Sequence, residues 1–487
     1  MLFSDLKHKQ ALGRAASYEE WQDAALAYDR ARGLDSWRDR DRSSRYDYVS
    51  IRIRLDRLQS LRARHDYPEL LFTLNEGIHG NMGGMGKSLL YEAALSGTKQ
   101  LIVDYVNEIA SALELLASPE VDNISFEDKL DFFRRAHHCF GSSAFMMSGS
   151  GNLMYFHVGV VKALREQNLL PGIVSGASGG AIVGSILCTH SDQELVEKLG
   201  NDFLSQEIEL AGKAYEASGG RKRGVFLAQE VEENLARVIP DMTFQEAYEH
   251  TGRMLNISVA AAEKHQTSRL LSATTSPNVL IRKAVMASAA VPGVFAPVML
   301  EARNKEGESQ PYLPSRQWVD GSVSDDLPAK RLARLYGVNH YIVSQANPMV
   351  LPFITESKNQ RSIRAVLTNT ARQTYREWLN ASATIFHKPL SKNSVLARAA
   401  NNFISVVNQD YTGDINILPR NRFYNPFKLL GRMSAEEALS LVAAGERSAW
   451  RKIEMIRVQT RIGKVLDKIL RSYNDQLVRD HNQQRVG

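Results

Sequence analysis

The chain has 487 residues, of which 44% are hydrophobic and 23% are charged, and its formal net charge is +6. This length exceeds that of one compact unit, so we expect two or three domains with sizeable cores. The basic excess is spread along the chain, which is typical of a solvated surface and does not indicate nucleic-acid binding. Cys139 and Cys188 lack metal-binding spacing, which favours a reducing compartment and argues against a disulfide framework or a structural zinc site.

No apolar run occupies the first 20 residues, which include several charged side chains. We therefore predict a cytoplasmic protein that is not secreted. Residues 139–161 and 284–300 are rich in apolar side chains, but glycines interrupt the first stretch and prolines the second. The second is also shorter than the roughly 20 residues that span a bilayer. We interpret both as buried segments of a globular core.

The first part of the chain is dominated by helical periodicity. Apolar side chains recur at helical spacing in residues 18–32, 48–64 and 88–116, which predicts three helices. Residues 83–88 are similar to a phosphate-binding loop, but Asn81 stands where the first glycine belongs and no strand precedes it. We interpret this stretch as a loop between helices.

Short apolar runs alternate with helical segments from residue 143 to about 346. This rhythm predicts an α/β fold with a largely parallel sheet, and its strands are expected at residues 143–147, 173–174, 255–260 and 340–343. Residues 219–224 and 303–316 predict exposed loops. Helical periodicity returns after residue 357 and predicts a helix at 435–469.

We accordingly divide the chain into three parts. Residues 1–128 are predicted to form a helical N-terminal domain, residues 129–346 an α/β domain, and residues 347–487 a helical C-terminal region that completes or flanks it.

Ser178 lies in a G-x-S-x-G pentapeptide between a predicted strand and a run of small apolar residues, with Gly176 and Gly180 on either side. Small neighbours allow a hydroxyl to stand exposed at a sharp turn from strand to helix. The motif predicts a nucleophilic serine that attacks acyl esters, although glycine and serine also form ordinary turns.

A glycine-rich loop at Gly149, Ser150 and Gly151 follows a predicted strand and precedes a predicted helix. Backbone N–H groups in such a loop, together with the helix dipole, favour an anion such as a tetrahedral oxyanion. A dinucleotide-binding loop is the alternative, and Met154 in place of the third glycine of G-x-G-x-x-G argues against it.

Asp320 is the candidate base, because no histidine after Ser178 stands in a triad-like setting. It ends a short apolar run and is followed by Gly321. A carboxylate placed at the end of a core strand could take the proton of a serine. The alternative is an Asx turn, which Asp-Gly sequences form routinely.

The order of these pieces, glycine loop, Ser178 and then Asp320, resembles the patatin-like phospholipase family. Residues 243–257, 278–298 and 318–328 match it further. The resemblance is closest to the triacylglycerol lipases of yeast lipid droplets and a related plant seed lipase, whose helical N-terminal domain is similar to residues 21–86. It implies a three-layer α/β/α sandwich with a mainly parallel sheet and helical regions at both ends.

The resemblance also implies an activity and the residues that perform it. The protein would be a serine acyl hydrolase that cleaves fatty-acyl esters of glycerolipids, above all triacylglycerol, through an acyl-enzyme. Ser178 would be the nucleophile, Asp320 the base, and the amides of Gly149, Ser150 and Gly151 the oxyanion hole, without a metal or organic cofactor. The enzyme would associate peripherally with a membrane or lipid-droplet surface, for which the basic helices at 51–64 and 435–469 are candidates.

Other activities share these motifs. A phospholipase A or a lysophospholipid acyltransferase would use the same serine and aspartate. A catalytically weak lipid-binding or scaffold protein is a further alternative, because the family's loop usually has glycine where Ser150 and Met154 stand. The backbone donors survive the change to serine only if φ at Ser150 is negative.

Overall fold

The structure is a computed structural model, and it describes residues 2–76, 78, 80–220, 226–263, 267–354, 413–424 and 430–486. The chain divides into two compact units. The first comprises Met1–Ser143, Ala333–His340 and Trp450–Gly487, and the second comprises Ala144–Leu332 and Tyr341–Ala449. The predicted boundaries at residues 128 and 346 stay a prediction, because compactness does not establish which segments fold independently.

The N-terminal part of the first unit is helical. Its helices are α1 (Leu2–Arg14), α2 (Tyr18–Ala31), α3 (Leu34–Asp39), α4 (Tyr48–Ala63), α5 (Tyr67–Asn75), α6 (Ser88–Tyr91), α7 (Gln100–Ala117) and α8 (Phe126–Phe140). The helices predicted at residues 18–32 and 48–64 are confirmed. The stretch that is similar to a phosphate-binding loop connects helices, as predicted, and contains a 3-10 turn at Met82–Gly84.

The prediction of one helix at residues 88–116 is wrong, because α6 and α7 are separate. Between them Gly97 has a φ of +80°, a backbone conformation that glycine adopts without steric cost and that a continuous right-handed helix does not contain. The Thr98 hydroxyl then donates to the Leu90 carbonyl at 3.0 Å, which ties the connection together.

A mainly parallel sheet forms the centre of the α/β part, as predicted. Within the described residues it has seven strands, which are β1 (Ser142–Met147), β2 (Ile173–Gly176), β3 (Met254–Ala261), β4 (Arg269–Leu271), β7 (Trp318–Asp320), β8 (Val338–Ser344) and β9 (Ile415–Ile417). Their order is β4-β3-β2-β1-β8-β9, with β7 paired to β3. Strands β1, β2 and β3 are parallel, β8 and β9 are parallel, and β4 and β7 run antiparallel to β3.

All four predicted strands are confirmed, and the loop predicted at residues 303–316 is wrong in part. There β6 (Ser309–Tyr312) pairs antiparallel with β5 (Leu300–Arg303) in a separate two-stranded sheet. Pro311 is compatible with this strand because an edge strand does not need every N–H for pairing. Of the other predicted loop, residues 221–224 lie outside the described residues.

Helices follow most of the strands. They are α9 (Met154–Glu166), α10 (Gly179–Thr189), α11 (Asp192–Lys198), α12 (Asn201–Ala217), α13 (Ala228–Val238), α14 (Phe244–Thr251), α15 (Ile281–Ser288), α16 (Ser322–Asp325), α17 (Ala329–Tyr336), α18 (Ala435–Trp450) and α19 (Ile453–Val486). The prediction of a single helix at residues 435–469 is wrong, because α18 ends and α19 begins where the chain passes from the second unit to the first.

Of the two apolar stretches, residues 139–161 lie largely in the core, in β1 and α9. For residues 284–300 the prediction of burial holds in α15 and is wrong for the loop that follows. In that loop Val294 and Met299 are each 39% exposed. Apolar composition alone therefore does not place this segment inside the protein. No helix among the described residues combines the length and apolar character needed to cross a bilayer.

Candidate active site

Ser178 stands at a sharp turn between a strand and a helix. Strand β2 ends at Gly176 and α10 begins at Gly179. The backbone of Ser178 has φ 50° and ψ −121°, a positive φ that is uncommon for any residue other than glycine. Its N–H donates to the Ser288 hydroxyl at 2.9 Å. Such strain is found at functional turns that the surrounding structure holds in place.

Close backbone approach explains the glycines on either side. A Cβ atom at Gly180 would lie 2.4 Å from the Met147 carbonyl oxygen, and one at Gly176 would lie 2.3 Å from the Gly180 carbonyl oxygen. Real side chains do not approach backbone so closely, so both positions require glycine. Because neither glycine has a side chain, α10 packs directly on β1 and β2 beneath Ser178.

Asp320 ends β7, opposite Val259 of β3, and its side chain is buried. Burial raises the pKa of the Asp320 carboxyl to about 6, and hydrogen bonds from Ser322 and from the Ser178 hydroxyl act against the rise. The structure thus brings Ser178 and Asp320 together. The Asx turn is present too, because the Ser322 N–H donates to Asp320 Oδ1 at 2.8 Å.

The glycine loop runs from the end of β1 to α9 and lies beside Ser178. A Cβ atom on Gly149 would be 3.4 Å from the Ser178 Cβ. Ser150 has a φ of −149° and Met154 a φ of −55°, so neither position requires glycine. The amides of Ser150 and Gly151 make no hydrogen bond to any residue that the structure describes. They are therefore available to an anionic oxygen.

The Gly149 amide is engaged elsewhere, which differs from its predicted place in the oxyanion hole. It donates to Asp326 Oδ1 at 2.6 Å, and the Asn347 side-chain amide donates to Asp326 Oδ2 at 3.0 Å. Burial raises the pKa of Asp326 to about 8, even though these two hydrogen bonds lower it. Of the three amides predicted to form an oxyanion hole, those of Ser150 and Gly151 therefore remain candidates.

A cavity of about 230 Å³ opens beside Ser178. Its two charged wall residues neutralise each other, because Arg237 Nε donates to Glu207 Oε2 at 2.8 Å. An apolar wall with few polar groups is suited to an apolar ligand. The wall is mostly apolar and includes Ile182, Val231, Leu235, Met286, Phe295 and Val298.

Two protein-family models match this chain. Residues 145–333 match the family described as patatin-like phospholipase, and residues 5–138 match a domain of unknown function, DUF3336. The chain therefore contains a patatin-like phospholipase domain. Its patatin-like domain contains Ser178, Asp320 and the glycine loop.

Several fungal proteins are similar over nearly the whole chain. Triacylglycerol lipase ptl2 of Schizosaccharomyces pombe is 29% identical over 94% of this chain and 74% of its own length. Triacylglycerol lipase 4 of Saccharomyces cerevisiae is 32% identical over 94% of this chain and 52% of its own length. A patatin-like phospholipase domain-containing protein of Cryptococcus neoformans is 30% identical over 93% of this chain and 53% of its own length. The chain thus spans only about half the length of the Saccharomyces cerevisiae and Cryptococcus neoformans relatives.

Among solved structures, VipD from Legionella pneumophila matches 63% of this chain and 67% of its own, at 14% identity. The TM-score is 0.25, which is too low to add to the description of the fold.

A buried histidine of the patatin-like domain fixes the start of the glycine loop. The Ser148 carbonyl can only accept, so His157 Nε2 carries the proton and donates to it at 3.0 Å. The Ser344 hydroxyl donates to His157 Nδ1 at 2.7 Å. Burial lowers the pKa of His157 to about 4, so the ring is neutral. Its role is structural, because both ring nitrogens are engaged away from Ser178.

Sequence reasoning missed Asp326, Asn347, His157 and Ser288. Each acts through a contact between segments distant in the chain, which for His157 is the bond with Ser344, and no local motif marks it. The only available signal was the position of Asp326 shortly after Asp320, in a stretch that also resembles the family.

No group of three or more His, Cys, Asp or Glu side chains is arranged to hold a metal ion within the described ranges. That catalysis uses neither a metal nor an organic cofactor stays a prediction.

Proposed function

We propose that this protein is a serine acyl hydrolase that cleaves fatty-acyl esters of glycerolipids, with triacylglycerol as its principal substrate. The observation that carries the proposal is the placement of the Ser178 hydroxyl against the buried Asp320 carboxyl, beside an apolar cavity. Two yeast relatives named triacylglycerol lipase support the choice of a neutral lipid.

In the acylation step the Asp320 carboxylate accepts the Ser178 proton while Ser178 Oγ attacks the ester carbonyl. The carbonyl oxygen becomes negatively charged and receives hydrogen bonds from the Ser150 and Gly151 amides. Loss of one such donor typically costs on the order of 10² to 10³ in rate. The tetrahedral intermediate then collapses, the diacylglycerol oxygen leaves with the proton from Asp320, and the fatty acyl group remains on Ser178.

Deacylation repeats the same chemistry with water. The Asp320 carboxylate accepts a proton from water as the water oxygen attacks the acyl carbonyl. Collapse releases the fatty acid, and the proton held by Asp320 returns to Ser178 Oγ. One carboxylate therefore serves both steps as base and then as acid.

The cavity supports a substrate with a long acyl chain. Its volume of about 230 Å³ is below the roughly 300–1,000 Å³ of sites that enclose a whole small molecule, so acyl-chain carbons occupy the cavity and most of the glycerolipid stays outside. The ion pair between Glu207 and Arg237 keeps the charges of the wall partnered when an acyl chain displaces water.

Fatty-acid release from matched emulsions tests the proposal. Wild type, Ser178→Ala and the control Ser205→Ala are compared on triacylglycerol, diacylglycerol and phospholipid. Ser205 is a suitable control because its hydroxyl bonds only locally, to the Asn201 carbonyl on α12. We expect release from triacylglycerol by wild type and Ser205→Ala and none by Ser178→Ala. Preference for phospholipid would favour the phospholipase alternative, and equal release by Ser178→Ala would refute the nucleophile.

A further inference from the structure

The loop between α15 and β5 is apolar and exposed. Residues 289–299, with the sequence AAVPGVFAPVM, contain no charged side chain. Val294 and Met299 are each 39% exposed, and Gly293 turns the chain with a φ of +86°. An apolar loop of this kind gains nothing from contact with water.

The same loop is one wall of the cavity beside Ser178. Val291, Phe295 and Val298 line the cavity. Val294 and Met299, their neighbours in the chain, are the side chains that remain exposed to solvent. The loop thus connects the apolar interior of the cavity to the protein surface.

Two further exposed leucines adjoin cavity-lining residues on other elements. Leu210 of α12 is 48% exposed and stands next to Ala211, which lines the cavity. Leu227 is 45% exposed and precedes Ala228, the first residue of α13, which also lines it. We call Leu210, Leu227, Val294 and Met299 the apolar rim. Each of these four exposed side chains is next in sequence to a residue that lines the cavity or lies in the loop that forms its wall. Exposed apolar groups beside a binding cavity can mark a contact site.

We propose that the apolar rim docks the protein on a neutral or zwitterionic lipid surface and places the cavity mouth against its acyl chains. The inference rests on the proposed function in one respect, the glycerolipid substrate. We choose a lipid surface as the partner because the rim adjoins the cavity. Whatever covers the rim must also deliver an acyl chain past it into the cavity. The loop at 289–299 has no charge, so attraction to anionic lipids is not needed.

One of the two predicted alternatives, the basic helix at residues 51–64, has several of its arginines paired with carboxylates within the first unit. Arg52 pairs with Asp41, Arg57 with Glu69 and Arg62 with Glu108, all at distances below 3 Å. Arginines held by carboxylates contribute little to attraction by an anionic surface. Docking through the rim therefore differs measurably from docking through this helix, since it persists when salt screens charges.

Flotation with triacylglycerol droplets coated with phosphatidylcholine tests the proposal. Ser178→Ala serves as the parent protein, so that no substrate is consumed and binding is measured apart from hydrolysis. Val294→Glu and Met299→Glu are introduced into it. Val196→Glu is the matched control, because Val196 is 59% exposed on α11 and does not line the cavity. Thermal unfolding midpoints establish that each variant is folded.

We expect the parent and the Val196→Glu control to float equally, at low salt and at about 1 M salt, where the Debye length is about 3 Å. Each rim variant should bind the droplets at least about tenfold more weakly than the parent. Burying a valine or methionine side chain in lipid contributes a free energy of this size, and a carboxylate resists insertion into lipid. Rim variants that float like the parent, a control that binds equally poorly, or a parent released by salt would overturn the inference. A wild type that binds but hydrolyses nothing would refute the proposed function alone.

Discussion

The pH dependence of ester hydrolysis tests the role of Asp320 as base. Burial raises the pKa of its carboxyl to about 6, and hydrogen bonds from Ser322 and Ser178 act in the opposite direction. The base works only when deprotonated, so kcat/KM should be full above this pKa and fall about tenfold per pH unit below it. At pH 5 about a tenth of the molecules would carry the active carboxylate.

Ser322→Ala shifts this profile in a direction that the structure determines. The substitution removes the hydroxyl whose hydrogen bond stabilises the Asp320 carboxylate, while the backbone N–H bond at 2.8 Å remains. The pKa should therefore rise above 6, and the acid limb should move to higher pH. The assay is kcat/KM for a short-chain nitrophenyl ester that dissolves in buffer, which avoids changes in lipid packing with pH. Ser205→Ala is the control.

Three results would refute the reasoning. An acid limb near the ordinary pKa of an exposed aspartate would show that the base is not buried. A limb that stays in place in Ser322→Ala would show that the titrating group does not accept its hydrogen bond, as expected for a histidine. A shift of equal size in Ser205→Ala would show that the effect is not specific to the Asp320 site.

Three further predictions follow from the contacts around the site. Asp326→Ala removes the acceptor of the Gly149 amide and should lower kcat by about 10- to 100-fold with little change in KM. Asp326→Asn keeps an oxygen acceptor, so its kcat should fall less. Equal losses of kcat in the two variants, measured by steady-state kinetics, would contradict this prediction. Gly180→Ala places a methyl group 2.4 Å from the Met147 carbonyl oxygen, so it should lower the free energy of unfolding in urea by about 1–3 kcal/mol. Gly13→Ala is the control and should not lower it, because a Cβ atom at Gly13 would have no atom within 4 Å. Val231→Trp fills part of the cavity and should shift activity toward short-chain nitrophenyl esters; an unchanged ratio of short- to long-chain rates would place the acyl chain elsewhere.

Local features of the site could be predicted from the sequence because each depends on neighbouring residues. The small neighbours Gly176 and Gly180 permit a sharp turn at Ser178, and the strand before them follows from apolar composition. For Asp320 the sequence left two interpretations open. The structure contains the Asx turn and places the same carboxylate against Ser178, while the role of Asp320 as base stays a prediction.

Contacts between distant segments could not be predicted in this way. The Gly149 amide meets Asp326 only because the segments that follow β1 and β7 meet in the folded protein, and nothing in either local sequence indicates it. Composition failed for a different reason in residues 284–300. An uncharged stretch is equally suited to a protein core and to an apolar surface. The loop after α15 forms an apolar surface.

Covalent labelling tests the central claim most directly. The protein is incubated with a long-chain alkyl fluorophosphonate, which traps an activated serine, and the modified peptide is identified by mass spectrometry. We expect a single adduct on Ser178 in wild type and labelling slowed by at least about 100-fold in Asp320→Asn, because the hydroxyl loses its base. Labelling of another residue, or of Ser178 at an equal rate in Asp320→Asn, would contradict the Ser178 and Asp320 mechanism.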